Sequence, residues 1–127
     1  MKKTAKILVI EDDADIARMI QMLLTYKGYA VTVSDRTEQS DEMLRNSNID
    51  VVIMDMFLSG VNGIDICIRF KSDNRIAHIP VIMMSAHPDA KKICLEAGAD
   101  DFISKPFDMK DLLSMVSVLI KKNRVTQ

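Results

Sequence analysis

The sequence has no long apolar run and almost no net charge. Its first apolar stretch, Ile7 to Ile10, turns acidic at Glu11. That is too short for a secretory signal or a membrane span, so a cytoplasmic location with no membrane contact is expected. A formal net charge of −1 gives no global attraction to nucleic acid or anionic lipid. The basic cluster Lys121, Lys122 and Arg124 reads as a solvated helix end, and no direct nucleic-acid partner is expected. There are two cysteines, Cys67 and Cys94, and their spacing matches no metal motif. They read as small apolar residues on helices, and without a disulfide framework a reducing compartment is the default. Linkers rich in Gly, Ser or Pro, low-complexity tracts and internal repeats are also lacking. With 127 residues, one domain spanning 1–127 is expected.

What the sequence does contain is alternation. Five short apolar runs, Lys6–Ile10, Ala30–Val33, Val51–Met54, Val81–Met84 and Phe102–Ser104, are separated by longer segments of helical period. Most of the runs are continuously apolar, as strands covered on both faces are. The spacing predicts helices over about Ala14–Lys27 and Glu38–Arg45, from Gly63 with Ile64, Cys67, Ile68 and Phe70 inward, from Pro88 to Gly98, and over Met109–Lys121. Gly28 is a good helix stop and Pro88 suits a first turn. Ten methionines are many for this length; Met54, Met56, Met83 and Met84 fit gap-filling in a core. The pattern is α/β, a (βα)₅ three-layer sandwich with parallel strands. Ligands of such sheets sit at the carboxyl ends of the strands.

Those ends carry chemistry. Glu11, Asp12 and Asp13 follow the first strand, Asp55 the third, Ser85 and Ala86 the fourth, and Lys105 and Pro106 the fifth. Carboxylates crowded into one site repel each other, and a hard cation such as Mg²⁺, which takes a few carboxylate oxygens and keeps waters, relieves that repulsion. Asp55 is ionised at neutral pH and can attack phosphorus without a general base. Lys105 supplies a point charge and Ser85 a hydrogen bond to phosphoryl oxygens. Singly, each residue has a plainer reading: Asp13 as a helix cap, Asp55 as a turn residue, Lys105-Pro106 as a turn. Their joint placement at matching strand ends favours the chemical reading.

The stretches ILVIEDD, VVIMDMFLSGVNG, VIMMSA and GADDFISKPF closely resemble the receiver domain of two-component response regulators. The resemblance implies a flavodoxin-like sheet of order 2-1-3-4-5. It also implies that Glu11 and Asp12 form an acidic pair and that Asp55 is the phosphoacceptor. Mg²⁺ would be held by Asp12, Asp55 and the Phe57 main-chain carbonyl, with Glu11 acting through water. Ser85 would be the switch hydroxyl, Phe102 the switch aromatic, and Lys105 the phosphate-reading lysine on a cis bond to Pro106. Amides of Met56 and Ala86 would touch the phosphoryl group. A sensor histidine kinase or histidine phosphotransfer protein would be the donor. The surface of the fourth helix, fifth strand and fifth helix would bind a downstream protein or a second copy. No enzymatic turnover is implied beyond the chain's own phosphotransfer and slow self-dephosphorylation.

Departures from the family are local. Ser59 replaces a frequent proline, the stretch between Ser85 and Gly98 is short, and Phe57 cannot orient an attacking water. His87 either borders the site or is a loop residue. An FMN-binding module would need a phosphate cradle where Glu11–Asp13 stand. An aspartate-nucleophile phosphatase would need a second acid at Phe57, and a calcium loop would need a glycine turn and a distal Glu. The alternative is a degenerate receiver acting only as a protein-binding module; the presence of all the phospho-site residues weighs against it.

Overall fold

Hydrophobic alternation decides the architecture. The structure is a computed structural model that describes residues 4–35, 37–58 and 60–126, so Ser59 lies outside the described residues. Five parallel strands, β1 (Lys6–Ile10), β2 (Ala30–Ser34), β3 (Val51–Asp55), β4 (Val81–Ser85) and β5 (Asp101–Ser104), form one sheet in the order β2-β1-β3-β4-β5. The helices are α1 (Ala14–Tyr26), α2 (Thr37–Asn46), α3 (Gly63–Ser72), α4 (Ala90–Glu96) and α5 (Met109–Thr126). The strand order reverses between β1 and β3, and this switch point opens a crevice at their carboxyl ends.

Successive strand residues point to opposite faces, and this builds two cores. Leu8, Ile10, Val52, Met54 and Met83 pack with Leu44, Ile66, Cys67, Phe70 and Cys94 from α2, α3 and α4. Ile7, Val9, Ile53, Ile82, Met84 and Ile103 pack with Ile20, Leu24, Leu112 and Val116 from α1 and α5. Each such aliphatic side chain contributes about 1.5–3 kcal/mol by burial. Every residue of β3 and β4 is buried, which explains their unbroken apolar sequences.

Several element details depart from the sequence pattern. Ile68 faces solvent and Ile66 takes the core position, because Gly63, Ile66, Cys67 and Phe70 share one face of α3 at helical spacing. α4 has only seven residues. It starts two residues after Pro88, because a turn in which the Asp89 amide donates to His87 Nδ1 and the Ala90 amide to the His87 carbonyl comes first. α5 runs past Lys121, and its end is held by Arg124 against Asp50 at 3.7 Å. Between β3 and α3, Phe57–Leu58 pairs antiparallel with Val61–Asn62 in a two-residue ladder.

Asp13 caps α1, its carboxylate accepting from the Asp15 and Ile16 amides. Gly63 is forced by space. A Cβ there would lie 2.5 Å from the Asp55 carbonyl oxygen and 2.6 Å from that of Met56. The first turn of α3 therefore presses directly on the segment carrying Asp55. At the amino-terminal edge of the sheet, Lys71 Nζ donates to the carbonyls of Ala77 and Ile79 and to Asp100 Oδ2, at 3.2, 2.8 and 2.7 Å. Asp100 Oδ2 also accepts from the Val81 amide.

Candidate functional site

Each site residue is delivered by a strand end. Glu11 follows β1, where its amide continues the sheet by donating to the Ser34 carbonyl. Asp55 is the last residue of β3, and Lys105 follows β5, with its amide donating to the Ser85 carbonyl at 2.9 Å. The Lys105–Pro106 peptide is cis.

These three side chains meet. Lys105 Nζ donates to Glu11 Oε1 at 3.0 Å and to Asp55 Oδ2 at 2.5 Å. The Glu11 side chain is fully buried, and those of Asp55 and Lys105 are only 11% and 18% exposed. Two carboxylates can be held side by side out of water because the ammonium lies between them. Burial above all pushes the Glu11 carboxyl up to about 7; the Lys105 hydrogen bond opposes this and the Asp55 charge adds to it. Burial disfavours the Lys105 ammonium, but its bonds to Asp55 and Glu11 outweigh that, and its pKa is raised.

The remaining residues surround this ion cluster. Asp55 Oδ1 accepts from the Phe57 amide at 2.9 Å, so both oxygens of the carboxylate are engaged. The Met56 amide, assigned to the phosphoryl group by resemblance, here donates to the Met84 carbonyl. The amide facing the carboxylate is that of Phe57. The Phe57 side chain is 58% exposed at the rim. Ser85 is buried, and its hydroxyl accepts from the His87 amide at 3.0 Å. Ala86 and His87 are exposed. Asp12 is half-buried, beside Glu11 on a cavity that also meets Arg18, Gln21 and Asp35. Phe102 is buried, in the core shared with α3 and α4.

Among the described residues, no group of three His, Cys, Asp or Glu forms a cage for a metal. Mg²⁺ does not require one; it uses one or two carboxylates and retains waters. Glu11 and Asp55 set two carboxylates against the ammonium of Lys105, and Asp12 stands next to Glu11 at the crevice rim. These hard oxygen donors fit a small divalent cation that keeps most of its waters.

Sequence reasoning reached the three charged residues of this cluster but not the Phe57 amide, whose role depends on a local turn. The ladder that follows it is too short to leave a periodic signal.

A model of the response regulator receiver domain matches residues 7–117, and the chain belongs to that family. DNA-binding response regulator MtrA of Mycolicibacterium paratuberculosis is 35% identical over 120 residues, covering 93% of this chain and 52% of MtrA. The chain thus spans about half the length of the curated relatives it matches. A response regulator receiver domain protein from Clostridium thermocellum superposes with a TM-score of 0.87 at 29% identity, covering 97% of this chain and 99% of that one. The receiver domain of sensor histidine kinase PA1611 from Pseudomonas aeruginosa PAO1 shares the fold with a TM-score of 0.84 at 24% identity, covering 94% and 99% of the two chains. That structure holds a magnesium ion coordinated in the active site cleft.

Proposed function

We propose that the chain is a single receiver domain over 1–127 that accepts a phosphoryl group on Asp55 from a histidine kinase or a histidine phosphotransfer protein. The observation that carries this is the Lys105 ammonium lodged between Glu11 and Asp55, which joins residues far apart in sequence at one strand-end crevice.

Asp55 is the nucleophile and sits ready at the crevice floor. Lys105 stands within reach of any oxygen newly bonded to Asp55 and neutralises its charge. Asp12, Asp55 and the Phe57 carbonyl would hold Mg²⁺, with Glu11 orienting a water; the ion would supply the positive charge that lets an anionic donor approach. Ser85 and the Ala86 amide lie at the neighbouring strand end, where a phosphoryl oxygen would draw the hydroxyl from its bond to the His87 amide. Movement of Ser85 would free space for Phe102 and remodel the surface of α4, β5 and α5, to which a downstream protein or a second copy would bind. A cytoplasmic location follows from the donor. Direct nucleic-acid contact is no part of this proposal; the DNA-binding name belongs to relatives about twice as long.

Beryllofluoride or acetyl phosphate, with and without Mg²⁺, tests it on the wild type and Asp55→Asn. A metal-dependent spectral change in the wild type that disappears in the variant is expected. A wild type indifferent to both reagents would instead support a binding module without phosphotransfer.

A further inference from the structure

The pole opposite Asp55 holds a cavity of about 590 Å³ at the amino-terminal edge of the sheet. Lys6 at the start of β1, Arg45 near the end of α2, Arg75 and His78 in the segment between α3 and β4, and Arg124 of α5 all line it. Asp50 is the one carboxylate among the described lining residues. Four permanent cations thus face one cavity of a chain whose net charge is −1. Basic residues often complement helix carboxyl ends, and that accounts for Arg45 and Arg124. It does not account for Lys6, on a strand, or for Arg75 and His78, between elements.

Arg75 has a partner that leaves donors over. Arg75 forks onto Asp73 at 2.9 and 3.0 Å, and Arg124 approaches Asp50 at 3.7 Å. A guanidinium carries five N–H groups, so the Asp73 pairing does not exhaust Arg75. Arg45, Arg75 and His78 are exposed and can turn toward a ligand. Leu44, Ile49 and Ile79 supply apolar lining, and Asn48 and Thr4 line the cavity as well. A concave site with apolar lining and a few convergent cations, at this volume, suits a small amphiphilic anion.

We propose that this cavity binds a small organic polyphosphate of nucleotide size, its phosphates on Arg45 and Arg75 and its ring on Leu44, Ile49 and Ile79. The planar fork of arginine matches phosphate oxygens two at a time. The site is separate from the phosphoacceptor crevice and stands whether or not Asp55 is phosphorylated.

The test is calorimetric titration of the full chain with ATP in EDTA, where the acidic crevice repels phosphate. One saturable site per chain is expected, with inorganic tripolyphosphate binding more weakly and adenosine more weakly still. Arg45→Gln/Arg75→Gln should weaken ATP by roughly ten-fold or more, while Asp55→Asn leaves it unchanged. If the double variant fails to fold, Arg45→Lys/Arg75→Lys keeps the charge and should still lose the forked contact. The proposal is overturned by absence of saturation at about 1 mM ATP, by equal binding in wild type and folded variants, or by unrelated duplex DNA binding more tightly than ATP.

Discussion

At the residue scale, charge and burial pull in opposite directions, and the side chains record which prevails. Lys105 keeps its proton despite burial because two carboxylates face it. For Cys67 the compensation is too weak: burial pushes its thiol up to about 11, from a usual value of 9.0, and the charge of Lys71 only partly opposes it. A raised thiol pKa means less thiolate at any lower pH, so at pH 8 Cys67 should carry about a hundred-fold less of the reactive form than an exposed cysteine. Cys94 is shifted in the same direction by its own burial. Ellman's reagent at pH 8 should therefore release almost no colour from the native protein and two equivalents after guanidinium unfolding. Immediate release from the native state would contradict the burial of both. Phe57 poses a different test. Its exposed ring offers no hydrogen bond to a water attacking the aspartyl phosphate, so Phe57→Asn should shorten the phosphoryl lifetime. The expected change is on the order of ten-fold, modest because asparagine orients water without taking its proton. Phosphate release after removal of the donor measures it, and a longer lifetime in the variant would refute the idea. Charged partners were legible in the sequence, since strand ends converge once the sheet is drawn. The Phe57 amide was not. Which backbone donor faces Asp55 depends on the turn after β3, and every residue carries the same N–H.

At the element scale, the strands and most helices could be read from apolar periodicity. β3 and β4 could be read because both of their faces are covered. Periodicity failed where it had too few residues to work with. The Phe57–Leu58 ladder with Val61–Asn62 holds two residues a side, and α4 begins where a turn through His87 ends rather than at Pro88. Ile68 misled because apolar composition alone does not fix helix phase; Ile66, Cys67 and Phe70 set it. The contact of α3 with the Asp55 segment depends on an absent side chain at Gly63. Gly63→Ala gains helix propensity but sets a methyl 2.5 Å from the Asp55 carbonyl oxygen. Backbone atoms on both sides leave no flexible neighbour to yield, so the strain should dominate. We expect a loss of about 1–3 kcal/mol in urea unfolding together with slower phosphorylation. Unchanged values for both would mean that α3 slides freely on β3.

At the scale of the whole molecule, stability and ligand binding are coupled. A cation that binds the folded crevice and not the unfolded chain raises stability by mass action, about 2.7 kcal/mol at a hundred times its Kd. For a domain of this size that corresponds to a rise in Tm on the order of 10 °C. Calorimetric scans should show that rise with Mg²⁺, saturating, and a much smaller one for Asp55→Asn. Equal rises in both proteins would remove Asp55 from the metal site.

The two ends of the sheet are each fastened by one lysine, and the two fastenings share no atom. Lys105 clasps the carboxyl ends of β1 and β3, while Lys71 laces α3 to the segment leading into β4 and, through Asp100, to the approach to β5. Because the second clasp owes nothing to Glu11 or Asp55, the crevice can exchange its ionic partners while the far end of β4 and β5 stays moored.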